Sequence, residues 1–136
     1  MDARFAAVAD VVGRYFDGLY HGDTARLRSV FHPRAHYVSA TEGTLVHLGM
    51  DEYLPIVDRR PSPASRNEVR ADRIVAIEFA GPVTAFARVE CAIGAKFFSD
   101  LLTFVFVEGR WQIVSKVFHF DLREAGADGI RADRQR

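Results

Sequence analysis

The sequence is poor in cysteine, tryptophan and methionine, with one, one and two residues among 136. A single thiol, Cys91, excludes an intrachain disulfide and fits a reducing compartment, so a cytoplasmic location is expected. An excess of charge of one sign is also missing. Eighteen basic residues balance eighteen acidic ones, which leaves no electrostatic footprint for nucleic acid or for an anionic membrane surface. No apolar run is long enough to span a bilayer, and Met1-Asp2-Ala3-Arg4 lacks the apolar core of a signal peptide. The five His show no pair four apart with a third partner, so neither a metal nor another cofactor is expected.

What is abundant is phenylalanine. Eleven Phe are present, eight of them between Phe79 and Phe120. With 49% apolar and 26% charged residues, 136 residues make one soluble domain with its own core. Residues 1–122 are expected to form it, and 123–136 a polar tail.

Phe5, Val8, Val12, Tyr15, Phe16 and Leu19 recur at helical spacing and predict a one-sided helix over residues 3–20. Asp23 is suited to cap a second, short helix that buries Leu27, Val30 and Phe31, and Pro33 ends it. A short hairpin follows, Ala35–Ala40 with Thr44–Leu48, and then a third helix from Gly49 to Arg59 in which Pro55 is awkward. Arg60-Pro61-Ser62-Pro63 reads as a surface loop, with Arg59, Arg60 and Arg66 solvated around it or, as the alternative, meeting an anionic ligand at the cavity mouth. Four long strands complete the chain: Val69–Phe79, Val83–Ile93, Lys96–Val107 and Arg110–Phe120. Helices first and strands later predict an α+β fold, with the helices packed on one face of a curved antiparallel sheet.

Turns fix register, and register fixes which side chains share a face. A two-residue turn at Gly94-Ala95 pairs Cys91 with Phe98 and Val89 with Asp100. One at Glu108-Gly109 pairs Val107 with Arg110, Phe104 with Ile113, Leu102 with Ser115, Asp100 with Val117 and Phe98 with His119. The helix-facing side is then nearly all apolar, with Asp100, Ser115 and His119 as polar exceptions and Cys91 beside them. Asp100 and His119 become diagonal neighbours, close enough for an acid–base pair at a cavity rim. The other side, with Leu101, Thr103, Val105 and Val107, is too apolar for a solvated face. A second copy of the chain is expected to cover it, with Arg88, Glu90 and Lys116 as polar contacts.

Several stretches together resemble the nuclear-transport-factor-2-like superfamily, the cone-shaped fold of polyketide cyclases and ketosteroid isomerase, and most closely its branch labelled "putative lumazine-binding". They are Tyr15-Phe16-Asp17-Gly18-Leu19-Tyr20-His21-Gly22-Asp23, Val30-Phe31-His32-Pro33, Tyr53-Leu54, Arg60-Pro61-Ser62-Pro63-Ala64, Phe98-Ser99-Asp100, Gly109-Arg110-Trp111-Gln112-Ile113 and Lys116-Val117-Phe118-His119. The branch name implies a pteridine-like ligand. The isomerase comparison implies a base at the position of Ser39, an oxyanion-hole acid at that of Leu102 and a phenol at Tyr15. Two of the three positions have departed, which argues against steroid-isomerase chemistry.

The expectation is a protein that binds a small apolar or aromatic molecule between helices and sheet, with Tyr15, Tyr53, Trp111, Ser115 and Cys91 as candidate ligand contacts. Two alternatives stand beside it. One is an isomerase, cyclase or dehydratase using Asp100 and His119. The other is a dimeric interaction module without a ligand.

Overall fold

The first two helices start at aspartates able to satisfy their free amides. The structure, a computed structural model, describes residues 2–123. Asp2 opens α1 (Ala3–His21) by accepting from the Arg4 amide at 2.8 Å, and Gly22, left-handed at φ 63°, closes it. Asp23 opens α2 (Thr24–Val30), accepting from the Arg26 amide at 3.0 Å. A Cβ on Gly18 would stand 2.7 Å from Leu27 Cδ2, so the bare glycine is what lets the two helices approach this closely.

The chain leaves α2 directly into β1 (Phe31–Ser39), which begins before Pro33 rather than at Ala35. It returns through β2 (Val46–Gly49) and enters α3 (Met50–Arg59), where the Glu52 carboxylate accepts from the Gly49 amide at 3.0 Å. The proline loop contains one 3-10 turn, Ala64–Arg66. β3 (Arg73–Phe79), β4 (Thr84–Ile93), β5 (Lys96–Val107) and β6 (Arg110–Leu122) follow; β3 starts later than the apolar run from Val69 suggested.

The six strands form one open sheet in the order β2-β1-β6-β5-β4-β3. β1 runs parallel to β6, and all other neighbours are antiparallel. α1 packs on β3, β4 and β6, while α2 and α3 pack on β1, so the fold is α+β with its helices on one side. Val8, Val12, Tyr15, Leu27, Leu54, Leu102, Phe104 and Ile113 form the buried centre. Among the described residues no helix is long and apolar enough to cross a membrane. The polar tail expected beyond Arg123 lies outside the described residues.

Register decides the rest. β4 and β5 pair as the Gly94 turn requires, with Cys91 opposite Phe98 and Val89 opposite Asp100. β5 and β6 start as expected, because Glu108 (φ 57°) and Gly109 (φ 79°) supply the two positive φ angles of a tight hairpin. Val107 pairs with Arg110 and Phe104 with Ile113. The next rung joins Thr103 to Ser115, and Val114 is left without a partner. This β-bulge inserts one residue and reverses the facing of everything after it. Leu102 therefore faces Lys116, not Ser115. Asp100 faces Phe118, not Val117, and Phe98 faces Phe120, not His119.

Candidate functional site

The reversal brings Lys116, Phe118 and Phe120 to the helix side and sends Ser115, Val117 and His119 to the outer side. His119 is thus no partner for Asp100. Its ring is largely exposed and binds Asp121 at 3.0 Å and the Thr41 hydroxyl at 3.4 Å. Ser115 bonds the Thr103 hydroxyl on the outer side and is no pocket residue. Lys116, expected on the outer face as an interface contact, is buried instead. The sequence carries a signal for this. Trp111 and Ile113 alternate inward on odd positions and Phe118 and Phe120 on even ones, and only a bulge lets one strand bury both sets.

Beyond the bulge the inner face holds a polar cluster. The Tyr15 hydroxyl, from α1, donates to Asp100 Oδ2 at 2.5 Å. Lys116 Nζ lies 4.0 Å from the same oxygen and 3.5 Å from the Tyr53 hydroxyl of α3. Around the ammonium stand the rings of Tyr15, Tyr53, Phe118, Tyr37 and Phe98, with centroids 5.2–5.9 Å away. That is cation–π range on five sides. Tyr37 stacks on Tyr53 at 4.3 Å and reaches Phe118 at 4.7 Å, so the cage is held by its own rings.

The cluster is dry and its charges are perturbed. Burial pushes the Asp100 carboxyl above the ordinary carboxylate range, against the pull of Lys116 and the Tyr15 hydroxyl. Burial opposes the charge on Lys116, but the Tyr53 hydroxyl, the Asp100 carboxylate and the Tyr37 hydroxyl outweigh it and hold the ammonium above its usual range. Burial first, then the Asp100 charge, raises the Tyr15 hydroxyl well above that of a free phenol. Asp100 Oδ1 has no hydrogen-bond partner among the described residues, although it is fully buried.

A cavity of about 440 Å³ lies against this ring layer, on the helix side of the sheet. Its floor is Tyr37, Phe98, Phe118 and Phe120, and its walls include Ser39, Ile56, Ile93 and Leu122. Arg60, Arg66, Glu68 and Lys96 stand at its edge. Its volume is in the range that small-ligand sites occupy. Phe98, Phe118 and Tyr37 belong both to this floor and to the cage, so one layer of rings separates the cavity from Lys116.

The predicted contacts divide accordingly. Tyr15 and Tyr53 belong to the polar cluster beneath the floor and do not line the cavity. Trp111 lies at the opposite end of the sheet, against Phe79 and Phe106. Cys91 is a small buried group near Asp100; burial, and then the Asp100 charge, drives its thiol far above the range of a reactive thiolate. The residues missed from sequence are Lys116, Tyr37, Phe98 and Phe118. Among the described residues no group of His, Cys, Asp and Glu is arranged to hold a metal ion.

Comparison with known proteins places this geometry. The family described as "Putative lumazine-binding" matches residues 3–119. The aldolase FrzH of Cladobotryum sp is 24% identical over 119 residues, covering 86% of this chain and 91% of that protein. An NTF2-like protein of unknown function from Silicibacter pomeroyi is 28% identical and superposes with a TM-score of 0.75, over 87% of this chain and 96% of that one. An NTF2-like protein of unknown function from Methylobacillus flagellatus is 25% identical with a TM-score of 0.75, over 89% and 95% of the two chains. A cystatin-like fold protein from Burkholderia xenovorans, 16% identical at a TM-score of 0.65, shares the fold.

Proposed function

Because this chain belongs to the putative lumazine-binding family of the NTF2-like superfamily, we propose that it binds a small, flat, largely apolar molecule in the cavity above the aromatic floor. The observation that carries this reading is the floor itself. Tyr37, Phe98, Phe118 and Phe120 present ring surface to a space of about 440 Å³. Aromatic faces bury flat ligands well at low conformational cost, and the charged edge fixes their orientation. The direct test is native mass spectrometry of the protein as purified, followed by titration calorimetry with 2-naphthoate and with riboflavin. Binding that Phe118→Ala weakens supports the cavity. No bound mass and no heat with either probe sinks it.

A second reading is favoured by the unpartnered Asp100 Oδ1 next to a buried ammonium, and by the relative named an aldolase. Asp100 would take a proton from a carbon beside a carbonyl, and the Lys116 ammonium would hold the oxygen that gains charge. The proton then returns to the product from Asp100. Lys116 here takes the place that His119 held in the sequence-based expectation. Substrate would reach the pair by displacing the Phe98 and Phe118 rings. Deuterium uptake from D2O into a ketone bound in the cavity, abolished by Asp100→Asn, supports this reading. Unchanged uptake in that variant removes it.

The outer sheet face supports self-association. Leu101 and Val117 pair there and remain 38% and 41% exposed. Arg88 and Glu90 lie on the same face, Glu90 paired with Arg73 of its own chain at 2.8 Å. A second copy of the chain is therefore the proposed occupant, and a monomeric mass by light scattering at micromolar concentration contradicts it.

A further inference from the structure

The edge of the cavity is electrically lopsided in a way the balanced composition hides. Arg60 directly follows α3, is only partly exposed and lines the cavity. Its guanidinium has no hydrogen bond or ion pair among the described residues. Burial raises the Tyr37 hydroxyl, while Lys116 and, more weakly, Arg60 pull it back. Lys96, also lining the cavity, lies over the Phe120 ring at 4.4 Å and has no ion pair among the described residues. Arg123, next to the lining residue Leu122, donates from Nε to the Gly94 carbonyl at 3.3 Å.

The acidic side is mostly spoken for. Glu68 accepts from the Gly94 amide at 2.9 Å and pairs with Arg66 at 3.6 Å. That leaves Glu42, exposed, as the remaining carboxylate of the lining. Among the described lining residues, once Arg66 and Glu68 are set against each other, two cations, Arg60 and Lys96, stand against one anion, Glu42, in an otherwise largely aromatic cavity. A guanidinium binds a planar oxyanion through two parallel hydrogen bonds, and partial burial strengthens them.

We infer that the ligand is an organic oxyanion, a carboxylate or a phosphate ester on a flat apolar body, with the body on the Tyr37–Phe98–Phe118 floor and the anionic group on Arg60, supported by Lys96. The inference rests on the cavity being a ligand site, and it adds the charge class and the polarity of binding. The expected affinity gain over a neutral ligand of the same shape is about tenfold or more, the scale of a charge-assisted hydrogen bond. It weakens as salt is added, because the mouth is partly open to solvent.

Titration calorimetry on the full chain with 2-naphthoate, 2-naphthyl phosphate and neutral 2-naphthamide separates the cases. The inference expects at least one anion to bind about tenfold or more tighter than the amide, and which anion wins identifies the ligand's acid group. It expects Arg60→Met to erase that preference while amide affinity stays, and Lys96→Met to reduce it. Circular dichroism melts confirm that both variants are folded. Equal affinity for anions and amide overturns the charge class and leaves the cavity reading standing. An anion preference that survives both substitutions places the acid group elsewhere and also overturns the inference. If none of the three binds, the cavity reading fails, and this inference with it.

Discussion

The inner face of the sheet has two halves, and they are built on different terms. Toward the Glu108-Gly109 turn, Ala85, Leu102, Phe104, Trp111 and Ile113 are buried in the core with no charged group among them. Toward the other end, past the Val114 bulge, the face holds Asp100 and Lys116 in a cage of tyrosines and phenylalanines, and then the cavity. The first half is what burial of apolar surface rewards. The second half pays desolvation for two charges that reach each other only at 4.0 Å. A contact that long, with Asp100 Oδ1 unpartnered, does not recover the full cost of burial. On the proposed function, the apolar half holds the fold and the charged half serves a ligand.

The change with the largest expected effect removes the boundary between the halves. Inserting one alanine between Thr103 and Phe104, opposite Val114, gives Val114 a partner and restores simple pairing, which would turn Asp100, Lys116, Phe118 and Phe120 away from the face that holds Phe104 and Ile113. The expected result is loss of a cooperative unfolding transition by circular dichroism. A cooperative, near-native melt contradicts the role given to the bulge.

Next come two truncations of similar size that should differ in their pH response. Phe104→Ala in the apolar half should cost about 3–5 kcal/mol, independent of pH. Lys116→Met leaves Asp100 buried without its cation and should cost about 3–5 kcal/mol near neutral pH. The sign of its pH dependence follows from Asp100. Its pKa is already raised in the folded protein by burial, and it rises further once Lys116 is gone. A raised folded pKa favours folding at low pH and penalises it as the carboxyl ionises. The deficit of Lys116→Met should therefore shrink as pH falls toward the ordinary carboxyl value, relative to the native chain. Urea unfolding of the two variants across acid to neutral pH checks this, and parallel profiles would contradict it.

The smallest effect is expected at His119. Its ring is on the outer side with Asp121 and Thr41, so His119→Ala should shift stability by no more than about 0.5 kcal/mol and leave probe binding unchanged. A large loss of binding would return His119 to the site.

Much of the apolar half is readable from sequence, because its devices are local. Asp2, Asp23 and Gly22 mark helix ends by their own chemistry, and the Gly94 and Gly109 turns set the first rungs of each hairpin. Asp100 was also placed correctly on the inner face, because the β4–β5 ladder contains no irregularity. The error enters at Val114, an ordinary strand residue with no glycine or proline to announce a bulge. One unpaired residue puts Lys116 and Phe118 on the helix side in place of Val117 and His119, so simple pairing names the wrong neighbour for Asp100. Tyr37 was missed for a different reason. Its place depends on the parallel pairing of β1 with β6, Tyr37 opposite Lys116, which joins distant segments with no turn to fix their register. Arg60 looked like part of a solvated loop because its burial comes from tertiary packing around the cavity.

The claim that the charged half serves a ligand and not the fold is tested most directly by unfolding the double variant Asp100→Leu with Lys116→Met. Replacing both charges together removes the desolvation cost without leaving either one stranded. The account predicts a variant as stable as the native chain, or more stable by about 1–4 kcal/mol, in a urea titration at neutral pH. A double variant destabilised as much as Lys116→Met alone would show that the pair holds the fold together, and would contradict the account.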